Sequence, residues 1–245
     1  MRVGFDINGT HDVKFADFRK IAVIYNLGQA FLTKEDTLDD DERTVYTEDI
    51  RALLASMSEA LDLKSTGSSQ RTLSSEEIKA LDKQATTLIK KVHALMMLEF
   101  GDTPAEATRW GFDVKQTGKR RGTILMPDGR AAIVKTLGQY AKTEKARPAA
   151  ERFKSPLLAE VQAVVDGLNT NVNTRTTAKG QRASGVQQSN EASAHLLDLL
   201  QAAAVQIVVK QFECKVTPDL AQWGFEVTAK VAPRKKTPSP TSKTA

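Results

Sequence analysis

Thr103-Pro104-Ala105-Glu106-Ala107-Thr108-Arg109-Trp110-Gly111-Phe112-Asp113-Val114 recurs later in the chain as Thr217-Pro218-Asp219-Leu220-Ala221-Gln222-Trp223-Gly224-Phe225-Glu226-Val227. The copies contain both tryptophans of the protein, and the second is one residue shorter between Thr-Pro and Trp. Thr103 and Thr217 read as helix N-caps, with Pro104 and Pro218 at the first helical position, where no backbone donor is needed. Glu106 completes a capping box in the first copy. Gly111 and Gly224 suit the left-handed residue that ends a helix, and Phe112 and Phe225 can then pack back against it. The motif therefore reads as a helix stop with two aromatic anchors closing one end of a bundle; an aromatic ligand surface is the competing reading.

Moving outward, the apolar spacing upstream of each copy is helical. Ile50, Leu53, Leu54, Met57 and Leu61 share one face, as do Ala85, Leu88, Ile89, Val92, Leu95 and Met96. Ser65-Thr66-Gly67-Ser68-Ser69 predicts a loop between these helices, with Ser74 and Glu77 as the capping box of the second. In the later half, Ser155-Pro156 opens a helix with the stripe Leu157, Val161, Val164, Val165 and Leu168. A Gly, Ser, Thr and Gln-rich connection is expected over 170–189, before a buried helix over 196–212. Phe15, Phe18, Ala22, Tyr25 and Leu32, with Ile21 and Ile24 widening the stripe, imply an N-terminal helix. Asp128-Gly129 between two short apolar runs is a hairpin-turn signal.

The expected fold is mainly α: a bundle of two duplicated helical hairpins plus an N-terminal helix, with a small β-hairpin near 123–134. The corresponding divisions are 1–121 for the N-terminal helix and first repeat and 122–150 for the hairpin and a basic linker. Residues 151–231 form the second repeat, packing on the first, and 232–245 a disordered basic tail.

Leu98-Glu99-Phe100-Gly101-Asp102-Thr103-Pro104, followed by Trp110-Gly111-Phe112 and Lys119-Arg120-Arg121, resembles a motif of uncharacterised bacterial helical proteins. In those, a long helix ends in Phe-Gly-Asp-x-Pro, an aromatic-Gly-aromatic triplet follows, and a basic tail comes next. The likeness covers residues 84–121. It implies a helical architecture and no activity, and the hairpin signal after it departs from the pattern.

With 40% apolar and 27% charged residues among 245, the chain has material for a core. A lone cysteine, Cys214, excludes an internal disulfide; beside Phe212 it reads as buried and unreactive. The start lacks the apolar run of a signal peptide, and no uncharged apolar stretch of about 18 residues is present, so a soluble cytoplasmic protein without a membrane partner is expected. His11, His93 and His195 are not at metal-ligand spacing, and the acids at 36–42 lack the calcium-loop pattern. Neither a nucleophile elbow nor a phosphate loop is written here. No metal, cofactor or catalytic residue is therefore expected, and the protein reads as no enzyme.

Charge is placed in blocks. Glu35, Asp36, Asp39, Asp40, Asp41, Glu42, Glu48 and Asp49 face only Arg43 within 35–49, while 115–154 is strongly basic. These blocks could pair with each other or steer a polyanion. Each repeat copy precedes three cations, Lys119, Arg120 and Arg121 or Arg234, Lys235 and Lys236, which are the candidate polyanion-binding residues. The leading expectation is a non-enzymatic structural or interaction protein, with a protein partner or self-association. The alternative is weakly sequence-selective nucleic-acid binding through the two clusters.

Overall fold

The computed structural model describes residues 2–3, 10–119 and 121–230. Short strands β1 (Arg2–Val3) and β2 (His11–Lys14) precede helix α1 (Ile21–Glu35). Helix α2 (Thr47–Phe100) leads into a 3-10 helix over Pro104–Trp110. After α3 (Gly129–Ala146) and a single 3-10 turn over Ala149–Glu151 comes α4 (Leu158–Gln211). A 3-10 helix over Pro218–Trp223 and strand β3 (Glu226–Ala229) complete the order. The protein is mainly α, as its periodicity predicts. The sheet is antiparallel with strand order β1-β2-β3, and β2 pairs with β3 from His11 opposite Ala229 to Lys14 opposite Glu226.

The expected loops at 65–69 and 170–189 are absent. α2 and α4 are each a single helix of 54 residues, so each expected hairpin of two helices is one long helix. Two physical reasons account for this. Hydroxyl and amide side chains in 170–189 and just after 65–69 are satisfied on the preceding helical turn: Thr72 Oγ1 to Ser68 O, Ser75 Oγ to Arg71 O, Thr176 Oγ1 to Val172 O and Asn171 Nδ2 to Gly167 O. The small residues, meanwhile, let helix backbones meet. A Cβ on Gly67 would stand 2.8 Å from the Ala178 carbonyl oxygen and 2.9 Å from the Arg182 nitrogen. One on Gly185 would stand 2.7 Å from both the Ala60 oxygen and the Lys64 nitrogen. Ser74 does not cap a helix start; it lies buried inside α2.

The described residues form two compact units, one from those up to 64 together with 183–230, the other from those within 65–182. Each draws on both halves of the sequence, whereas the expected divisions follow the chain in order. The first unit buries Ile24, Phe31, Ile50, Met57, Leu196, Leu200, Ile207, Trp223 and Phe225 in one cluster. The second buries Ile78, Ile89, Val92, Met96, Trp110, Phe112, Leu137, Tyr140, Val161 and Leu168.

No β-hairpin forms near 123–134. Gly129 does take a positive φ of 76°, but it opens α3, whose buried face is Leu137, Tyr140, Ala141 and Glu144 at helical spacing. The run Arg130–Val134 is too short for its own pattern to separate strand from first helical turn. The antiparallel bridge lies earlier, between Val114 and Ile124. The N-terminal helix starts at Ile21, leaving Phe15 and Phe18 before it; of the expected stripe it buries Ile24 and Leu32, partly buries Ile21 and Tyr25 and exposes Ala22, and it adds Phe31 to the buried face. α4 begins at Leu158, past Ser155-Pro156. By length and composition one stretch of α4 is apolar enough to cross a membrane, although half of that stretch is buried inside the protein. The tail 232–245 lies outside the described residues.

Alanine at Gly67 or Gly185 gains about 1 kcal/mol of helix propensity but places a methyl against backbone. Both variants are expected to lose about 1–3 kcal/mol, the usual scale of overpacking. Gly180, with nothing within 4 Å of where a methyl would stand, is expected to gain up to about 1 kcal/mol when changed to alanine. Urea midpoints of the three variants check the opposite signs.

Candidate functional site

The two Thr-Pro/Trp-Gly-Phe motifs have the same local structure. Each is a 3-10 helix with Pro at its start and a left-handed glycine at its end, φ 88° at Gly111 and 84° at Gly224. The threonine caps expected from sequence are not made: neither Thr103 nor Thr217 caps with its side chain, and the Thr217 hydroxyl is buried without a partner. In a 3-10 helix this short, the turn is held by backbone bonds such as Glu106 N to Thr103 O and Leu220 N to Thr217 O.

Each motif docks on the short helix from the other half of the sequence. In the first unit Gly224 lies against α1, where a Cβ would come within 2.7 Å of the Ala30 Cβ. In the second unit Gly111 lies against α3, where a Cβ would come within 2.8 Å of the Gln139 Cβ, and Thr136 Oγ1 donates to Gly111 O at 3.1 Å. Glycine is thus required twice over, by conformation and by close approach. Trp110 and Trp223 are 7% and 3% exposed, so both indoles are largely core, although Trp223, with Lys34 over its ring, also lines a surface cavity.

Beside each indole the last turn of the short helix supplies a buried glutamate. Glu35 accepts hydrogen bonds from Thr44 N, Thr47 Oγ1 and Trp223 Nε1, each at 2.7 Å. Glu144 accepts from Phe153 N and pairs with Arg147 at 3.1 Å. In both cases the backbone donor lies nine residues after the acid in the chain. A buried carboxylate without such donors would cost several kcal/mol, so these bonds tie the chain after each short helix to the helix itself. A cation covers each ring: Lys34 Nζ lies 5.4 Å from the Trp223 centroid, and the Arg147 guanidinium 5.7 Å from Trp110 and 4.6 Å from Phe153. Sequence reading misses both glutamates, because Glu35 stands as one of an acidic block. The signal that could find them is an acid at the end of each short helical stripe.

Lys119 and Arg121 are exposed on a loop closed by the Val114–Ile124 bridge, with Lys115 N bonded to Thr123 O at 2.9 Å and Gly122 N to Lys115 O at 2.8 Å. Arg120, Arg234, Lys235 and Lys236 lie outside the described residues. Within the acidic block, Asp36 pairs with Arg51 at 2.7 Å and Asp40 with Arg43 at 2.8 Å. The hydrogen bond from Arg51 holds the Asp36 carboxyl below the usual range. In the basic block, Arg130 forms a two-armed pair with Asp82 and Arg147 pairs with Glu144. Cys214, expected to be buried, is exposed; with Glu213 it ends α4 in the left-handed conformation, φ 63° and 49°. Among the described residues no group of three His, Cys, Asp or Glu side chains could hold a metal ion.

Tyr140 precedes Glu144 on α3 as Phe31 precedes Glu35 on α1, and its buried hydroxyl has no partner. Burial, then the nearby Glu144 charge, push its pKa up to about 12. A folded-state value above the unfolded one contributes stability present below pH of about 10 and lost as pH rises toward 12. Tyr140→Phe is expected to stabilise by up to about 1 kcal/mol by removing the unsatisfied hydroxyl, and to abolish the last step of the phenolate absorbance titration.

Trp110→Ala and Trp223→Ala are each expected to lose about 3–5 kcal/mol. Phenylalanine separates the two sites: Trp223→Phe strips a donor from buried Glu35 and is expected to cost about 1–3 kcal/mol more than Trp110→Phe. Equal denaturant midpoints for the two phenylalanine variants would remove the weight given to the indole-carboxylate bond.

Compared with protein-family models, curated proteins and solved structures, the chain matches none.

Proposed function

We propose that the protein is a non-enzymatic structural or interaction protein built by duplication of one unit: a short helix, a long helix and a Trp-Gly-Phe stop. One observation carries this reading. The aromatic, acidic and cationic groups that stand together at both motifs are engaged in holding chain to chain, with Glu35 on Trp223, Thr44 and Thr47, and Glu144 on Phe153 and Arg147. The same spacing of acid and donor in both copies supports a common origin, and the cross-docking of each motif on the other half's helix supports a scaffold whose halves work together. In this reading the protein acts through its surface, by binding a protein partner or a second copy.

Nucleic-acid binding is the second reading, favoured by exposed Lys119 and Arg121 on a pinned loop. Contacts from such a loop would go to phosphates and select weakly for sequence. Co-purification of the tagged protein with and without nuclease, together with fluorescence anisotropy on labelled duplex and single-stranded DNA and RNA, tests both. The scaffold reading expects partners that survive nuclease and no salt-dependent nucleic-acid binding. The nucleic-acid reading expects binding whose log-log salt slope flattens by about 0.9 for each of Lys119 and Arg121 changed to alanine, if each meets a duplex phosphate.

A further inference from the structure

A cavity of about 690 Å3 opens in the first unit where the ends of α1 and α4 meet the 3-10 helix Pro218–Trp223. Its apolar lining is Leu38 and the edge-to-face pair Phe212 and Trp223, with centroids 6.3 Å apart and planes at 87°. Lys34 and Lys210 line it together with Asp41, Glu42 and Asp219. Among the described residues none of these five charges has an ion-pair partner, although Asp36 and Asp40 on the same segment do. Three carboxyl groups outnumber two ammoniums. Two helix C-termini, of α1 and α4, add partial negative charge at the same wall. A negative field beside aromatic rings suits an organic cation.

The fold already seats a cation on this ring, and the second unit shows what a filled version of the arrangement looks like. There Arg147 covers Trp110, is paired with buried Glu144, and lies against Phe153. In the first unit the corresponding acid, Glu35, is bonded to Trp223, Thr44 and Thr47. Lys34 therefore lies over the indole with no carboxylate on it, at the edge of an open cavity.

We propose that this cavity binds an organic cation carried on a flexible chain, an ammonium or guanidinium of a polyamine or of a basic peptide. Asp41, Glu42 and Asp219 supply the opposing charge and Phe212 and Trp223 the aromatic contact. Lys34 is a built-in competitor for the indole. The site stands on its own geometry and does not depend on the scaffold reading. The formal charge of the whole chain is +5, so general attraction to cations is not expected, and uptake of one reports the local field.

Titration calorimetry of the full chain with spermine, with tetralysine, and with tetralysine acetylated on every amine tests this. Spermine or tetralysine should bind one to one and weaken with salt, and the acetylated peptide should not bind. The triple variant Asp41→Asn, Glu42→Gln, Asp219→Asn should bind about tenfold more weakly, the scale of three exposed ion pairs. Lys34→Met should bind several-fold more tightly, because the competing ammonium is gone. Tetralysine binding without spermine binding would make the source a basic peptide, and the reverse a small polyamine. No binding by either probe, unchanged affinity in the triple variant, or weaker binding in Lys34→Met would each overturn the proposal. The lysine variant keeps the test decisive if the triple variant loses its fold.

Discussion

The backbone-to-backbone approach of α2 and α4, at Gly185 within the first unit and at Gly67 within the second, is the constraint on which the two long helices depend. At ordinary spacing, leucine-sized side chains would separate the two helices along their length. At these two positions the facing atoms are the carbonyl of Ala178 and the carbonyl of Ala60, both within 3 Å of where a methyl would stand. Alanines reinforce the contact, since Ala60 and Ala178 are themselves buried. Glycine in a helix interior costs about 1 kcal/mol relative to alanine. The packing gained by close approach offsets that cost, and it explains why a sequence so rich in Ser, Thr and Gly stays helical for 54 residues.

Within their separate units the two aromatic stops diverge in informative ways. Both place an indole on a short helix, an acid at that helix's end and a cation over the ring. In the second unit the acid and the cation neutralise each other, and Phe153 fills the remaining space. In the first, the acid turns inward to the indole N–H and the threonines, which leaves the lysine unpaired beside open volume. Both copies keep their buried acid satisfied, and the difference lies in the cation, which is paired in one unit and unpaired in the other.

The helical class and the positive-φ glycines were legible in the sequence because they rest on local rules: apolar spacing, and the residue that tolerates a left-handed turn. The long helices were not. Ser65-Thr66-Gly67-Ser68-Ser69 carries every local mark of a loop, and only a second helix packing against Gly67 reverses that reading. Asp128-Gly129 misled for a related reason, since a positive-φ glycine serves equally as a hairpin turn or as the entry to a helix. Of the candidate site, the tryptophans were visible as a repeat. Glu35 was hidden among neighbouring acids, and its role depends on a donor 188 residues away.

That separation bears on how the molecule assembles. Glu35 takes two donors from its own segment, Thr44 and Thr47, and these can be in place as soon as α1 and the start of α2 form. Its third donor, Trp223, comes from the far end of the chain. The entropy of closing a loop grows only with the logarithm of its length, so this distance adds little to the cost over a loop of half the size. The local donors both go to one carboxylate oxygen, and the second motif supplies the N–H for the other. An apolar segment without an N–H in that place would bury the second oxygen unsatisfied. The indole of Trp223 meets both demands at that place, with a large apolar face for the core and a donor for the second oxygen.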